Sequence, residues 1–467
     1  MPCAGEQIAS TIPTFMTRAV TNQCRSAMDS NRIGGIVSSP WKTVTGLNTQ
    51  QNRLTFAYGT VVVFWLFYYF RPQDFSAALS VVPEAKILGG IALLGLIVGT
   101  IGQGRGIQLS KDAKLVLLLF GWCCVCVPFA TWRGGAAQTV QEFSKVVIMT
   151  LVIGVAVNSV KRLRTLLFIQ ASATAIMAVV GCLFLRGMTR LQIGTGLYGN
   201  ANDFAIIIQL NWPICFGFML AARNPIKKML WAIGLIFMLW AVTLTYSRSG
   251  FLATTAAVIY SFWEFGIKGK RKHIVLAAGI LALFLLPLLL PSHYGTRIEA
   301  IVNPSVDPMD KGSAEARRKL LIMSLKLTAE HPIFGVGPGQ FQNITQTWFV
   351  THNTYTQFSS ETGIPGLVLF LLLLRRVFRN LKEIEKTEHF RSDPEAQIFA
   401  STLRAAFVGY LVSAFFASYG YDLFIYALVA FTGILNKACQ EAPPPALKPQ
   451  FHSRFSPVVN PSPIGVG

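Results

Sequence analysis

Charge is what this sequence has little of. Only 13% of its 467 residues are Asp, Glu, Lys or Arg, where a soluble domain carries about 25%. A single soluble domain is thereby excluded. Strict apolar/polar alternation is also missing, which argues against a transmembrane β-barrel. There is no nucleotide fingerprint, and the glycine run at 335–339 lacks the Lys and Ser/Thr of a phosphate-binding P-loop. The halves show no clear internal repeat, which weighs against a secondary transporter or flippase. No cysteine falls in the segments expected on the outer side, so no disulfide framework is expected. Cys123, Cys124 and Cys126 have no His or carboxylate near them in sequence, so they read as apolar filler rather than metal ligands.

What the chain has is length in apolar runs. Hydrophobic residues make up 52% of it, and the mean hydropathy is +0.48. About 20 apolar residues span a bilayer as a helix, and with β-barrels excluded a helical bundle is what satisfies the backbone in lipid. The expected fold is an all-α polytopic membrane protein. About twelve spans are predicted, at roughly 55–70, 87–103, 114–131, 146–158, 163–185, 204–222, 228–245, 250–266, 274–291, 354–374, 398–418 and 421–436. Residues 1–53 and 437–467 read as disordered cytoplasmic tails flanking a transmembrane domain at 54–436.

The net charge of +20 could suggest nucleic acid. Its distribution does not. Lys161, Arg162 and Arg164, then Arg223, Lys227 and Lys228, then Arg375, Arg376 and Arg379 follow even-numbered spans. The positive-inside bias then puts both termini in the cytoplasm, and no nucleic-acid partner is expected. The long segment 292–353 falls on the outer side. Within it, 313–330 is expected to form an amphipathic helix capped by Ser313, with Leu320, Met323 and Leu327 on one face. Glu299, Asp307 and Asp310 read as solvated carboxylates, and no metal site is expected.

The unusual motifs share that outer side. Gly194 to Phe204 contains glycine turns and Asn200, Asn202 and Asp203. Its amides could receive an anion, or it is a turn in which Asp203 caps a helix. Arg248 is the sole charge in the short turn Thr245 to Gly250. It is either a diphosphate-binding fork or a boundary Arg reaching to the headgroups. Arg317 and Arg318 point to a site or to a cationic helix face. His352 stands at the mouth of the tenth span, as a proton acceptor or as a structural interfacial residue. Asn353 follows it, and Glu361 lies deeper on the same span, where a carboxylate is costly.

These segments resemble the O-antigen ligase and O-antigen polymerase superfamily. The strongest match is His352-Asn353, then nine residues, Gly363, two residues and Gly366. Gly199-Asn-Ala-Asn-Asp-Phe204, Ser247-Arg-Ser-Gly250 and His331-Pro-Ile-Phe-Gly-Val-Gly337 follow the family's order, within about 190–440. Arg71-Pro-Gln-Asp-Phe75 resembles a segment of members associated with exosortase systems. One departure is Leu321, where the family often has a Trp four residues after its Arg. That leaves both Arg317 and Arg318 as site arginines.

The resemblance implies a metal-independent, inverting glycosyltransferase of the bacterial inner membrane that needs no cofactor. Its donor would be a glycan on undecaprenyl diphosphate. Its acceptor would be a hydroxyl of lipid A-core, another glycan or a protein, met at the periplasmic face beside membrane lipid. Arg248 and Arg317 would stabilise the departing diphosphate, and His352 would deprotonate or orient the acceptor. Arg318, Asn200, Asn202, Asp203, Asn353 and Glu361 would contact substrate. An O-antigen or exopolysaccharide polymerase and a protein O-oligosaccharyltransferase share that donor.

Overall fold

A computed structural model gives the fold and describes residues 54–75, 79, 84–101, 109–185, 190–194, 196–268, 308–346 and 349–441. Among them there is no strand. The helices are α1 (Thr55–Phe70), α2 (Glu84–Ile101), α3 (Lys111–Cys126), α4 (Arg133–Ala156), α5 (Val160–Phe184), α6 (Ala201–Ala221) and α7 (Pro225–Leu244). They continue with α8 (Arg248–Phe262), α9 (Pro308–Glu330), α10 (Phe341–Thr345), α11 (Thr354–Ile384), α12 (Glu388–Ser392), α13 (Pro394–Ala414) and α14 (Leu423–Glu441). A π-helical turn, Trp263–Lys268, extends α8.

Every expected span except the ninth falls on one of these helices; 274–291 and both expected tails up to 53 and from 442 lie outside the described residues. Among the described residues, 7 helices are long and apolar enough to cross a membrane by length and composition.

Several boundaries differ from the sequence reading, each for a physical reason. The fourth span was expected at 146–158, but α4 begins at Arg133. Its first half carries Gln138, Gln141, Glu142 and Lys145 on the exposed side, while Gly135, Ala136, Val140, Phe143 and Val147 are buried. The helix is amphipathic there, and a search for continuous apolar runs misses it. The helix expected from Ser313 begins at Pro308, so Ser313 lies inside it rather than at its cap. Proline suits a first turn because its missing N–H has no partner there anyway. The last helix continues past 436 to Glu441, so 437–441 are helical rather than tail.

Helix starts are set by side chains. Ser110, Ser159, Asn224, Ser247 and Asp393 each accept a hydrogen bond from an amide of the first turn. This satisfies a donor that has no partner within the helix. Two helices form the centre. α6 packs against α5, α7, α8 and α13, and α14 against α4 and α11. Their apolar windows are 83% and 78% buried, so almost no face of either is left for lipid.

Helix directions sort the polar residues into two ends. At one end, Arg376 pairs with Asp112, whose other oxygen accepts from Asn380. Arg404 joins Glu264 and Glu385 there, and Lys268 joins the same two carboxylates. The opposite end gathers the starts of α4, α6, α8 and α11 with the ends of α1, α3, α7 and α13. Every motif singled out above lies at that second end.

Candidate functional site

The site begins with a broken helix. α11 is interrupted at Gly363, whose φ of 72° and ψ of −178° leave the helical region. A side chain there would be strained, and its Cβ would collide with the Ile333 carbonyl. Pro365 removes a further N–H two residues on. Three carbonyls thereby lose their helical donors, and buried carbonyls need replacements. The segment 332–337 supplies most of them. Val336 N–H donates to Ser360 O at 2.8 Å and Gly337 N–H to Glu361 O at 2.9 Å. Trp122 Nε1 donates to Thr362 O at 2.8 Å. In return Ile364 N–H donates to Pro332 O at 2.8 Å. Gly335, at φ 64°, lies so close to the Glu361–Thr362 peptide that a side chain has no room. The two glycine motifs of the sequence are thus the two halves of one joint.

Glu361 closes the joint. It is buried, and its Oε2 accepts from Gly339 N–H at 2.9 Å and from the Tyr421 hydroxyl at 2.9 Å. The helix before the joint, α9, lies on α11. Its Leu320 and Leu327 bury against Val336 and Phe341, and its Thr328 hydroxyl meets that of Ser359 at 2.8 Å.

His352 sits just before α11 between two anchored neighbours. Thr351 Oγ1 bonds Ser418 Oγ at 2.7 Å. Asn353 is the helix cap: its Oδ1 accepts from Thr356 N–H at 3.0 Å, and its Nδ2 donates to Phe415 O at 3.1 Å. Thr354 Oγ1 donates to Ala417 O and accepts from Tyr419 N–H. His352 itself has φ 52°, uncommon for a residue with a side chain. It is half-buried, with the Phe349 ring 6.4 Å away. Burial, and after it the Arg317 guanidinium, hold its imidazole below the usual histidine range. Arg317 is half-buried; Arg318 beside it is exposed.

Contacts continue from the neighbours of His352 to the other motifs. The Tyr419 hydroxyl donates to Asp203 Oδ1 at 2.8 Å. Asn202 Oδ1 accepts from the Arg190 guanidinium at 2.9 Å, and Arg190 Nε donates to Thr245 O at 2.9 Å. Thr245 opens the turn in which Tyr246 takes φ 50° and Ser247 caps α8. Arg248 follows, half-buried, in the first turn. Asn200, rather than Asp203, caps α6. Arg71 pairs with both oxygens of Asp74, at 2.7 and 3.0 Å. This pair lies against the backbone at Gly194 and Gly196.

Residues 233–371 match the family model described as O-Antigen ligase. Over that segment the chain is similar to the O-antigen ligase family. At the family level this supports a lipid-linked glycan transferase in a membrane. The ligase segment holds Arg248, Arg317, Arg318, His352, Asn353 and Glu361 together with both halves of the joint. Asn200, Asn202 and Asp203 precede it. One solved chain, described under "Structural coordination of polymerization and crosslinking by a peptidoglycan synthase complex", is 16% identical with a TM-score of 0.41, covering 69% of this chain and 95% of its own. No curated protein matches the sequence.

Of the residues expected to contact substrate, Asn202, Asp203, Asn353 and Glu361 bond other segments of the bundle, and Asn200 caps α6. Sequence reasoning missed Arg190, Tyr419 and Tyr421. Arg190 was visible as a charge beside the Gly194 motif. The two tyrosines carried no signal, because their hydroxyl partners lie 216 and 60 residues away.

Proposed function

We propose that this chain is an O-antigen-ligase-like, metal-independent, inverting glycosyltransferase that moves a glycan from undecaprenyl diphosphate to an acceptor hydroxyl at the periplasmic face of the inner membrane. The observation that carries this reading is the match of residues 233–371 to the O-antigen ligase model, a segment that holds Arg248, Arg317 and His352. The acceptor O–H gives its proton to neutral His352 as its oxygen bonds the anomeric carbon. The bond from that carbon to the diphosphate breaks, and its electron pair leaves with undecaprenyl diphosphate. Arg248 and Arg317 balance the charge that develops on the leaving phosphate, where fixed cations act most strongly. Burial, and after it the Arg317 charge, favour the neutral imidazole.

The glycan itself, and the choice of lipid A-core as acceptor, come from the family likeness. Arg318, exposed beside Arg317, suits the headgroup side of the donor. Asn202 and Asp203 are oriented by their bonds to Arg190 and Tyr419.

The test is release of undecaprenyl diphosphate from a lipid-linked glycan by purified protein, with and without acceptor. Wild type should release it only with acceptor. His352→Ala should lower the rate by roughly 10²–10⁴-fold, the usual contribution of a general base, with unchanged elution as a folded protein. Neutral imidazole predominates above its pKa, and that pKa is lowered. The acid limb of the rate should therefore lie below the ordinary histidine value of about 6.5. A wild-type rate in His352→Ala would remove His352 from the base role. An intact donor under all conditions would favour a transporter.

A further inference from the structure

The segments 190–194 and 196–200, just ahead of α6, are fastened to three helices. The Tyr198 hydroxyl donates to Tyr69 O, in the last turn of α1, at 2.7 Å, and Asn200 caps α6. Leu191 N–H donates at 2.9 Å to the carbonyl of Leu244, the last residue of α7. Arg190 adds two bonds beside it. Its Nε donates to Thr245 O and its Nη2 to Asn202 Oδ1, each at 2.9 Å. One guanidinium thus spans the turn that opens α8 and the first turn of α6. A planar fork suits this task, because its donors point in fixed directions.

The turn needs such a tie. α7 ends at Leu244, and Tyr246 follows in the left-handed region at φ 50°. Helices commonly end on a left-handed residue, but it is usually Gly; a bulky side chain there is a backbone outlier. Strain of this kind persists only where the surroundings over-determine it. Tyr246 N–H donates to Thr243 O at 3.1 Å, Ser247 N–H to Thr245 Oγ1 at 3.3 Å, and Gly250 N–H to Ser247 Oγ at 3.2 Å. Thr245, Ser247 and Ser249 are buried. These bonds are internal to the turn and set its shape. Its place against α6 is set by a close contact and by the Arg190 bridge. Gly250 lies so near Ala205 that a Cβ on it would collide. That contact is apolar and without direction, whereas the bridge is directional. Arg248 begins α8 three positions after Thr245, so the seat of the turn is the seat of Arg248.

We propose that Arg190 is a positioning residue: by joining Thr245 O to Asn202 Oδ1 it holds the strained turn 245–247 against the start of α6 and so fixes where Arg248 stands. Its catalytic meaning rests on the glycosyltransferase reading, in which Arg248 balances charge on the leaving phosphate. The seating of the turn can be read without any reaction. Arg190 acts from the surface, since it is exposed, so removing its guanidinium opens no cavity in the core.

Two measurements on the full chain in detergent test this. Hydrogen exchange read by mass spectrometry follows the turn itself. Arg190→Met should speed exchange in the peptide over 243–251 and leave the peptide over 111–126, in α3, unchanged. Asn202→Ala removes the other end of the bridge and should speed the same peptide; it reads the bridge if Arg190→Met does not fold. Steady-state release of undecaprenyl diphosphate follows the chemistry. A displaced Arg248 stabilises less of the charge that develops in the transition state, so Arg190→Met should lower kcat by about 10- to 10²-fold, with KM for the lipid-linked glycan little changed. Arg190→Lys, which keeps a charged donor for Thr245 O, should recover part of the rate. In an Arg248→Lys background Arg190→Met should add little, because both act through one contact. Wild-type exchange at 243–251 in both Arg190→Met and Asn202→Ala would overturn the proposal. So would losses that multiply in the double variant, or a raised KM with kcat unchanged, since Arg190 would then meet the phosphate itself. If exchange rises and the wild-type protein releases no undecaprenyl diphosphate, the seating stands and the glycosyltransferase reading falls.

Discussion

Lysine at position 248 would keep the charge and lose the fork. Arginine presents a planar set of donors that can bind two phosphate oxygens at once, whereas an ammonium binds as a point. Arg248→Lys should therefore lower undecaprenyl diphosphate release by about 10²-fold, the scale for removing one oriented donor from a developing charge. A near-wild-type rate would show that two-pronged recognition is not used. Arg248 and His352 were legible in the sequence because each is a lone ionisable residue at the edge of an apolar run, where such a group has few other reasons to be. Asn353 and Glu361 were equally visible, but their partners within the bundle were not. The sequence shows that a buried polar group must be satisfied; it does not show by what. Asn353 turned out to bond Thr356 and Phe415, and Glu361 to bond Gly339 and Tyr421.

At the scale of elements, α11 is the helix on which the site depends. Its break has two requirements, a residue that tolerates φ of 72° and a backbone with no side chain beside Ile333 O. Gly363→Ala violates both. Strain of this kind costs of order 1–3 kcal/mol, before the collision is relieved. The variant should unfold at a lower temperature in a detergent melt and lose activity along with it; a melt indistinguishable from wild type would mean that the break adapts. The sequence marked the glycines on both sides of this joint but not that they meet, because the contact spans α10 and the loop into α11. Apolar runs located the helices well where a helix is apolar all round, as in α6. They located them poorly where one face is wet, as in the first half of α4, and where a helix lies outside the spans, as at the start of α9.

Across the whole molecule the two ends divide the work. One end is tied by buried ion pairs, Asp112 with Arg376 and Glu264 with Arg404. The other is tied by caps, hydroxyls and backbone, and it carries the arginines and the histidine. The near end also holds the positive-φ residues Tyr246 and His352. Charge bias along the sequence predicts that the near end faces the periplasm, which is where a lipid-linked glycan and a membrane-borne acceptor would meet. The most direct test is made in the host cell. The gene is deleted, the strain is complemented with wild type or His352→Ala, and lipopolysaccharide and undecaprenyl-linked glycans are resolved by gel. The ligase reading predicts lipid A-core without O-chain, and long glycan held on undecaprenyl diphosphate, in both the deletion and the His352→Ala strain, with wild type restoring transfer. Lipid A-core bearing a single repeat would contradict it in favour of a polymerase, and unchanged pools would contradict transfer to lipid A-core altogether.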